Sequence, residues 1–410
     1  MQRRDLLKNL ALCGLITALP APLTAMTRSG PRGAKLLGYV RTNWSRDPFS
    51  FGAYSYFARG SNRRDLRALA KPVGDWLHFA GEATNTDHTS TVHAAYESGQ
   101  RAARAVSKGD AQRIAIIGAG ISGLSAAHYL AERGRDVTVF EARNRLGGRM
   151  WTDNSLGVPL DLGASWIHGM RGNPLVDLAE RSDQSFVHTN ESYWIRGGDG
   201  RRIRTRNAPD WLYTVGEIQN EYAADSSQID FGAYNYQDDY GGKHVIFPKG
   251  YAGILDALKA DYTLRLETIV TSVEKHAEGV TIGLDTGAEQ VFDAVIVTLP
   301  LGVLKKGSVR FDPPLPQRKQ QAIDRLGMGT LDKVYLLFDR AFWDDATWIA
   351  TPENGLPRGQ FNIWFNQHRF TGSPVLAAFN GGSSALALAG QSDEDMVAQA
   401  LATLARAYPG

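Results

Sequence analysis

The sequence predicts an α/β protein, and three features of one short stretch lead to this prediction. An apolar run, Ile114 to Ile117, has the composition of a buried parallel strand. A helical pattern follows from about Ser122 to Arg133 and is closed by Gly134. A second apolar run, Val137 to Phe140, completes a strand–helix–strand unit, in which the two strands lie side by side in one sheet.

Three glycines connect the first strand to the helix in G-x-G-x-x-G spacing: Gly118, Gly120 and Gly123. In this motif the first glycine permits a tight turn, the second lets a pyrophosphate approach the backbone, and the third lets helix and strand pack closely. The free N–H groups at the start of the helix, here Ile121 and Ser122, then bind phosphate. We therefore predict a dinucleotide-binding unit rather than a glycine-rich turn in another α/β protein.

The end of the second strand and the run after it indicate which dinucleotide is bound. A carboxylate at Glu141 is placed to accept both ribose hydroxyls. It opens the run E-A-R-x-R-x-G-G-R, which contains Ala142, Arg143, Gly148 and Arg149. This run resembles the motif that follows the dinucleotide fold in flavin-containing amine oxidases, a family that includes polyamine oxidases, monoamine oxidases and lysine-specific histone demethylases. The resemblance implies FAD, with the paired glycines and the last arginine near the pyrophosphate.

Two segments near the start of the chain resemble the C-terminal end of the same family. The first fits the pattern W-x-x-D-P-x-x-x-G-x-Y-S and includes Tyr54; the second contains F-A-G-E-x-T and then T-V-H. Ala94 replaces the glycine that usually follows T-V-H. The resemblance assigns five residues of these segments to the flavin: Trp44, Gly81, Glu82, Thr91 and Val92.

The order of these segments is the reverse of the family order, because the tail motifs precede the dinucleotide unit. We interpret this as a circular permutation of the amine oxidase fold, with residues 104–112 as the new junction. Chain termini often lie together at the surface and exposed loops tolerate new ends. The interpretation predicts that the ends near Lys35 and Gly410 are close in space. A shuffled or misassembled gene is the alternative.

Further motifs complete the resemblance. The run D-L-G-A-S-W-I-H-G begins at Asp161, and T-x-P-L-G-V-L-K begins at Thr298. A strand-like alternation runs from Leu264 to Val273, where Val270 is implied to place its backbone on the adenine. The resemblance implies that the D-L-G-A-S-W-I-H-G run passes the flavin ring. Four of its residues are implied to contact the flavin: Gly163, Ala164, Ser165 and Trp166.

The resemblance also implies the catalytic and substrate-binding residues. Lys333 follows a Leu-Gly-x-Gly pattern and precedes an apolar strand, and in the family a lysine here contacts flavin N5 through a water. Tyr54 corresponds to one wall of an aromatic cage. The opposite wall is occupied by Asp87-His88-Thr89-Ser90, so we expect a half-built cage. The remaining residues predicted to line the pocket are Trp166, His168 and Trp364.

These features predict an FAD-dependent oxidase of a primary or secondary, polyamine-like amine. Hydride transfer to N5 would give an imine and then an aldehyde, and O2 would reoxidise the flavin to yield H2O2. An L-amino-acid oxidase is an alternative that needs an arginine for the substrate carboxylate, with Arg196, Arg204 and Arg206 as candidates. A flavin-binding protein without oxidase activity is an alternative of another class.

Composition limits the other classes of function. The net charge is +2 and no basic tract is present, so we expect no nucleic-acid partner. No metal-binding motif and no motif that fixes an oligomeric state is present. Paired arginines, Arg3 and Arg4, precede a modest apolar stretch and a small-residue site ending at Ala25, which resembles a twin-arginine signal. An ordinary secretory signal or a short helix is the alternative.

A cleaved signal would export the protein to the periplasm or the extracellular space. The single cysteine, Cys13, would leave with the signal, so we expect FAD to be held non-covalently. No other run approaches the ~18 apolar residues of a membrane span.

We predict this organisation: signal peptide (1–25), linker (26–35), permuted flavin-binding segment (36–106), FAD-binding Rossmann-like segment of GR2 type (107–170), α+β substrate-domain segment (171–245), second FAD-binding segment (246–310) and second substrate-domain segment (311–410).

Overall fold

The computed structural model describes residues 28–234 and 240–410, so the predicted signal peptide lies outside the described residues. Short 3-10 helices include Glu82–Thr84 and Tyr251–Leu258, and a π-helix spans Thr214–Asn220. Within the described ranges, no helix is both long and apolar enough to cross a bilayer. The described α-helices are Arg63–Ala70, Val92–Val106, Ile121–Ala131, Pro174–Arg181, Asp210–Tyr213, Leu301–Lys306, Gln317–Arg325, His368–Thr371, Gly382–Leu388 and Asp393–Ala407.

A five-stranded parallel sheet contains the predicted strand–helix–strand unit, which confirms the α/β prediction. Ile114 and Ile116 face one apolar cluster with the flanking helices, while Ala115 and Ile117 face another. Both faces of the sheet are therefore covered, as a continuous apolar run requires. The strand order is Thr263–Arg265, Asp136–Phe140, Arg113–Ile117, Ala294–Val297 and Leu77–Phe79.

The edge strand of this sheet, Leu77–Phe79, comes from the early part of the chain. It pairs in parallel with Ala294–Val297, and Phe79 lies opposite Val297. The helix Val92–Val106 then returns across the sheet and packs against Ile121–Ala131. The early segment therefore supplies both the edge strand of this parallel sheet and a helix that covers one of its faces.

The strand predicted from Leu264 to Val273 is wrong, because the structure divides this stretch between two sheets. Thr263–Arg265 joins the parallel sheet, whereas Val270–His276 joins a mixed four-stranded one. The turn between them has a left-handed residue, Glu267, with φ 50°. Its backbone N–H donates to the Arg143 carbonyl, so the turn is held against the end of the neighbouring strand.

An eight-stranded, mostly antiparallel sheet forms the second large unit. Alternate residues of its strand Leu331–Phe338 project to opposite sides. Val334 and Leu336 pack with the helix Asp393–Ala407, and we call this side the helix face. The opposite side carries Lys333 and is called the lysine face. The strand order is Arg28–Ser29, Lys35–Arg41, Leu331–Phe338, Val375–Gly381, Ile363–Asn366, Trp348–Ala350, Tyr193–Arg196 and Arg202–Ile203.

Four smaller sheets complete the described part of the fold. The described ends of the chain also lie together. The Arg32 guanidinium carbon is 5.3 Å from the centroid of the Tyr408 ring. The smaller sheets are Glu289–Phe292, Gly279–Leu284, Val270–His276 and Arg310–Asp312; Val187–His188, Val245–Ile246 and Trp166–Ile167; Gly327–Met328 with Ser55–Tyr56; and Thr152–Asp153 with Leu160–Asp161.

Candidate active site

The glycine turn has the geometry of a phosphate cradle. Gly118 has φ 105°, which disfavours any side chain, and a Cβ on Gly123 would lie 2.0 Å from the Gly118 carbonyl oxygen. A Cβ on Gly120 would meet no atom closer than 3.9 Å, so this part of the backbone faces open space. The helix that starts at Ile121 directs its first N–H groups to the same side. The arrangement fits a pyrophosphate.

Glu141, the predicted ribose acid, is fixed at the end of the second strand. Glu141 is 4% exposed, and its two oxygens accept hydrogen bonds from the backbone N–H groups of Ala119 (2.8 Å) and Arg143 (2.9 Å). Each carboxylate oxygen has a second lone pair for a hydroxyl donor. The glycine turn and this carboxylate together fit an adenosine diphosphate moiety. The roles predicted for Ala142 and for the Val270 backbone at the adenine stay predictions.

The early and late motifs meet at one buried ion pair. Arg149 donates to Glu82 at 2.9 Å and to the Ala53 carbonyl at 2.7 Å. The other Glu82 oxygen accepts from the Ser55 hydroxyl at 2.5 Å, and Glu82 is 5% exposed. A second pair joins Arg143 to Asp47 at 2.6 Å. Residues from the two separate stretches of sequence therefore form one site.

The helix that begins after Thr91 continues this site. Thr91 accepts the Ala94 backbone N–H at 3.1 Å and so caps the helix, whose first residue is Val92. A Cβ on Gly99 would lie 2.0 Å from the Ser122 carbonyl oxygen. This contact brings the helix against the start of the phosphate-binding helix. The predicted flavin contacts of Gly81, Thr91 and Val92 lie on this segment and stay predictions.

A loop from Asp161 to Ser165 lies between the arginine and the lysine. A Cβ on Gly163 would be 1.7 Å from the Arg149 carbonyl oxygen, and the Ala164 N–H donates to that oxygen at 3.0 Å. Trp44, only 4% exposed, donates from its indole to the Leu162 carbonyl at 3.3 Å. The loop is therefore fixed from two sides.

Lys333 is buried, with 4% exposure, and its ammonium group points at this loop. Burial lowers the pKa of Lys333 below the ordinary lysine value, and the negative charge of Asp161 opposes that shift. The hydrogen bonds nevertheless give the charged form three acceptors. Nζ donates to the carbonyls of Asp161 (2.9 Å) and Gly163 (2.6 Å) and to the Ser165 hydroxyl (2.6 Å).

An aromatic wall stands beside Lys333 on the lysine face. Its Nζ is 5.2 Å from the Phe379 ring centroid and 5.9 Å from Trp166. Trp166 stacks on Trp348 at 5.8 Å and meets Phe365 edge-on at 4.9 Å. These four rings (Trp166, Trp348, Phe365 and Phe379) are called the aromatic wall. Only Trp166 was predicted; strand alternation around Lys333 was the available signal for the others.

The prediction of Trp364 as a pocket residue is wrong. Trp364 is fully buried on the helix face, in the cluster that contains Val334, whereas Lys333 points to the other side. Its indole N–H donates to Thr351 and to the Phe361 carbonyl, both at 3.0 Å. Because adjacent strand residues face opposite sides, Phe365 occupies the position on the lysine face.

The other predicted pocket residues lie farther along the same region. The Tyr54 hydroxyl donates to the Asn220 carbonyl at 2.7 Å. His168 stacks on Trp166 at 6.4 Å, which extends the row of rings. At the position expected to lack an aromatic wall, Tyr240 stacks on His88 at 4.7 Å. No local pattern predicts this contact, because Tyr240 is distant from His88 in the chain.

Burial also sets the charge of a neighbouring histidine. His93 meets the His88 ring edge-on at 4.9 Å. Burial, with smaller contributions from His88 and His168, lowers the pKa of His93 to about 3. The ring is therefore neutral at physiological pH. Across the described ranges, no group of three or more His, Cys, Asp or Glu side chains is placed to hold a metal ion.

A buried lysine supports the turn that carries Glu82. Lys319 is 3% exposed, and its Nζ lies 4.0 Å from the centroid of Phe79, which ends the edge strand. The ammonium group also closes the C-terminal end of the helix Arg63–Ala70, where carbonyl oxygens lack helical donors. These acceptors are Ala68 (3.0 Å), Leu69 (2.6 Å) and Lys71 (2.6 Å).

We expect Lys319 to make stability depend on pH. Burial, with the charges of Arg101 and Lys71, lowers its pKa to about 7, whereas the unfolded chain has the ordinary value of about 10.4. The unfolded state therefore binds more protons between these values, and stability rises with pH across that window. Denaturant unfolding should show the free energy of the wild type rising relative to Lys319→Met from pH 7 to 10. A constant difference would contradict this.

A glycine phosphate cradle, a ribose acid and a buried lysine beside an aromatic wall define a dinucleotide-dependent oxidoreductase. The model of the family "Flavin containing amine oxidoreductase" matches residues 30–107, 121–209 and 204–410. The chain belongs to this family and is an FAD-dependent amine oxidase. FAD, when bound, is the two-electron acceptor for the amine. The glycine turn, Glu141, Arg149 and the Glu82 segment would hold it.

Individual relatives agree with this assignment. A probable polyamine oxidase 4 of Arabidopsis thaliana is 32% identical over 358 residues, covering 72% of this chain and 71% of the relative. Polyamine oxidase 2 of the same plant is 28% identical over 359 residues, with 72% of each covered. A solved structure of a putrescine oxidase with redesigned cofactor binding superposes with a TM-score of 0.54 at 20% identity. It covers 73% of this chain and 81% of that one, which establishes a shared fold.

Proposed function

We propose that this amine oxidase acts on a primary or secondary amine of the polyamine type and that Lys333 is its catalytic lysine. The observation that carries the proposal is the position of Lys333, which is buried on the lysine face next to the aromatic wall. The names of the plant relatives support a polyamine substrate. The product imine would hydrolyse to an aldehyde, and O2 would be reduced to H2O2.

The site residues act mainly by geometry and electrostatics. The aromatic wall presents apolar surface, which favours the neutral amine by desolvating its cation. Lys333 is fixed by three hydrogen bonds and is therefore positioned before substrate binds. Tyr54 and His168 extend the ring-lined region away from it. The chain's part is to orient the amine and to exclude water.

An L-amino-acid oxidase is disfavoured by the positions of the candidate arginines. Arg196 forms an ion pair with Asp344 and donates to the Gly200 carbonyl. Arg204 and Arg206 are exposed. Within the described residues, none of the hydrogen bonds, ion pairs or ring contacts of the three arginines reaches the aromatic wall.

Anaerobic mixing tests this function and its alternatives. Purified holoprotein should lose its flavin absorbance with polyamines and diamines and keep it with L-amino acids. In air, the same amines should yield peroxide. Retained FAD without bleaching by any amine would support the flavin-binding alternative, and bleaching by amino acids alone would support the amino-acid oxidase.

We also propose that the chain is a circular permutant that is exported with a twin-arginine-type signal. The reversed motif order, the shared sheet of Leu77–Phe79 and Ala294–Val297, and the 5.3 Å approach of Arg32 to Tyr408 support the permutation. Arg3 and Arg4 support the signal. A variant in which the ends near Lys35 and Gly410 are joined, and the chain is opened between Ser107 and Gln112, has its motifs in the family order. This variant should be active.

A further inference from the structure

One buried amide on the lysine face has no hydrogen-bond partner among the residues that the structure describes. Asn220 is 8% exposed, and neither Oδ1 nor Nδ2 makes a hydrogen bond to any described residue. A buried amide without partners costs stability, so native proteins seldom leave both of its polar atoms unpaired. Such a group is a candidate for hydrogen bonding to a bound ligand.

The backbone around this amide is specialised. Asn220 ends the π-helix Thr214–Asn220. π-Helical turns are rare in proteins, and those that occur often lie at functional sites. Its own carbonyl accepts the Tyr54 hydroxyl at 2.7 Å. The tyrosine therefore fixes the main chain and leaves the side-chain amide available.

Strand register places the amide on the lysine face. Asn220 Oδ1 lies 2.8 Å from the position that a Cβ on Gly381 would take, so it occupies the side of the strand toward which that side chain would point. Gly381 pairs with Leu331, and Phe379 pairs with Lys333. Residues two apart face the same side. The amide thus lies on the same side as Lys333, about 7 Å farther along the strand.

We propose that Asn220 binds the second, distal nitrogen of a diamine or polyamine, with Oδ1 accepting a hydrogen bond from its N–H. The distance along the strand suits an amine whose first nitrogen lies near Lys333 and whose second is joined by a short aliphatic chain. The Tyr54 ring, held against the Asn220 backbone, adds an aromatic neighbour for a cation. The ligand class rests on the proposed function. The unpartnered amide stands independently of it.

The test compares a diamine with a monoamine of the same carbon chain. Holoprotein is titrated anaerobically with 1,4-diaminobutane or butylamine, and the dissociation constant is taken from the perturbation of flavin absorbance. Asn220→Leu, which keeps the branched shape but removes both polar atoms, should weaken diaminobutane binding about 10- to 100-fold and change butylamine binding less than about threefold. Asn220→Asp keeps the acceptor and adds a charge, so it should keep or tighten diaminobutane binding.

A matched control is available on the neighbouring strand position. Asn380 is 1% exposed and has an unpaired Nδ2, but it faces the helix face, where it accepts the Phe361 N–H. Asn380→Leu should leave the preference between the two amines unchanged. Equal losses for both amines in Asn220→Leu, or no loss for either, would overturn the inference. If Asn220→Leu does not retain FAD, weakened diaminobutane binding by Asn220→Asp would overturn it.

Binding and reduction are recorded separately in this experiment. The absorbance perturbation reports the complex even where the flavin is not reduced. Absence of flavin reduction by either amine in the wild type would therefore count against the proposed substrate class, while the selectivity of the variants still decides the role of Asn220.

Discussion

Lys333→Met should lower amine turnover at least about 100-fold while most FAD is retained. The change removes the only ammonium group that contacts the loop from Asp161 to Ser165 in the described chain, at the place where the aromatic wall meets that loop. Loss of one preorganised electrostatic group in a buried site costs about 100- to 1,000-fold in rate. The FAD cradle is built from other residues, so its binding should change little. Stopped-flow reduction and reoxidation, with the flavin content of the purified protein, measure both effects.

The same substitution also affects stability, and this must be separated from catalysis. Three hydrogen bonds are lost, each worth about 0.5–1.5 kcal/mol. The Asp161 carbonyl keeps the Tyr335 hydroxyl as a donor at 2.7 Å, and the Gly163 carbonyl keeps the Ser165 hydroxyl at 3.3 Å. Lys275→Met is a suitable control, because Lys275 is an exposed lysine on a strand of the mixed four-stranded sheet. Turnover that falls only in proportion to lost FAD or folded protein would show that Lys333 is structural.

Gly99→Ala should be strongly destabilising and should reduce FAD retention. The new Cβ would lie 2.0 Å from the Ser122 carbonyl oxygen and 2.2 Å from the Ser125 hydroxyl. Overpacking of this kind costs about 1–3 kcal/mol and moves the backbone. Here it would push apart the two packed helices that begin at Val92 and at Ile121. Thermal unfolding and the ratio of flavin to protein absorbance measure the outcome.

The matched control is Gly109→Ala, in the connection that follows the same helix. The nearest atom to its added Cβ is the Val106 carbonyl oxygen at 3.6 Å, which is an ordinary contact. This variant should keep both stability and FAD. Equal behaviour of the two variants would mean that the helices do not approach as closely at Gly99 as described.

Local pattern was sufficient for the dinucleotide unit. The strands Arg113–Ile117 and Asp136–Phe140 and the helix between them follow from apolar runs and glycine spacing, because each is determined within a few residues. The stretch from Leu264 to Val273 was mispredicted since its alternation is compatible with one strand. The left-handed Glu267 and the contact of the turn with Arg143 depend on tertiary neighbours, which a local pattern does not contain.

The substrate side shows the same limit. The family resemblance predicts Trp364 as a pocket residue. Which of the two adjacent residues, Trp364 or Phe365, faces the site is determined by register: their strand pairs with Val375–Gly381, which in turn pairs with the strand of Lys333. The unpaired amide of Asn220 could not be predicted from the sequence, because the residue type does not show whether a side chain has hydrogen-bond partners in the fold. Both residues became interpretable only through strand register.

The pairing of Leu77–Phe79 with Ala294–Val297 has a consequence for how this chain is made. The edge strand leaves the ribosome long before its partner strand, Ala294–Val297, has been synthesised. Until then, the edge strand and the Glu82 turn have no sheet to join. Pairing between distant segments slows folding and exposes unpaired strand edges in the meantime. The nascent chain should therefore need protection by chaperones until Arg149 and the central strands emerge, and slower translation of the first hundred or so residues should not help it fold.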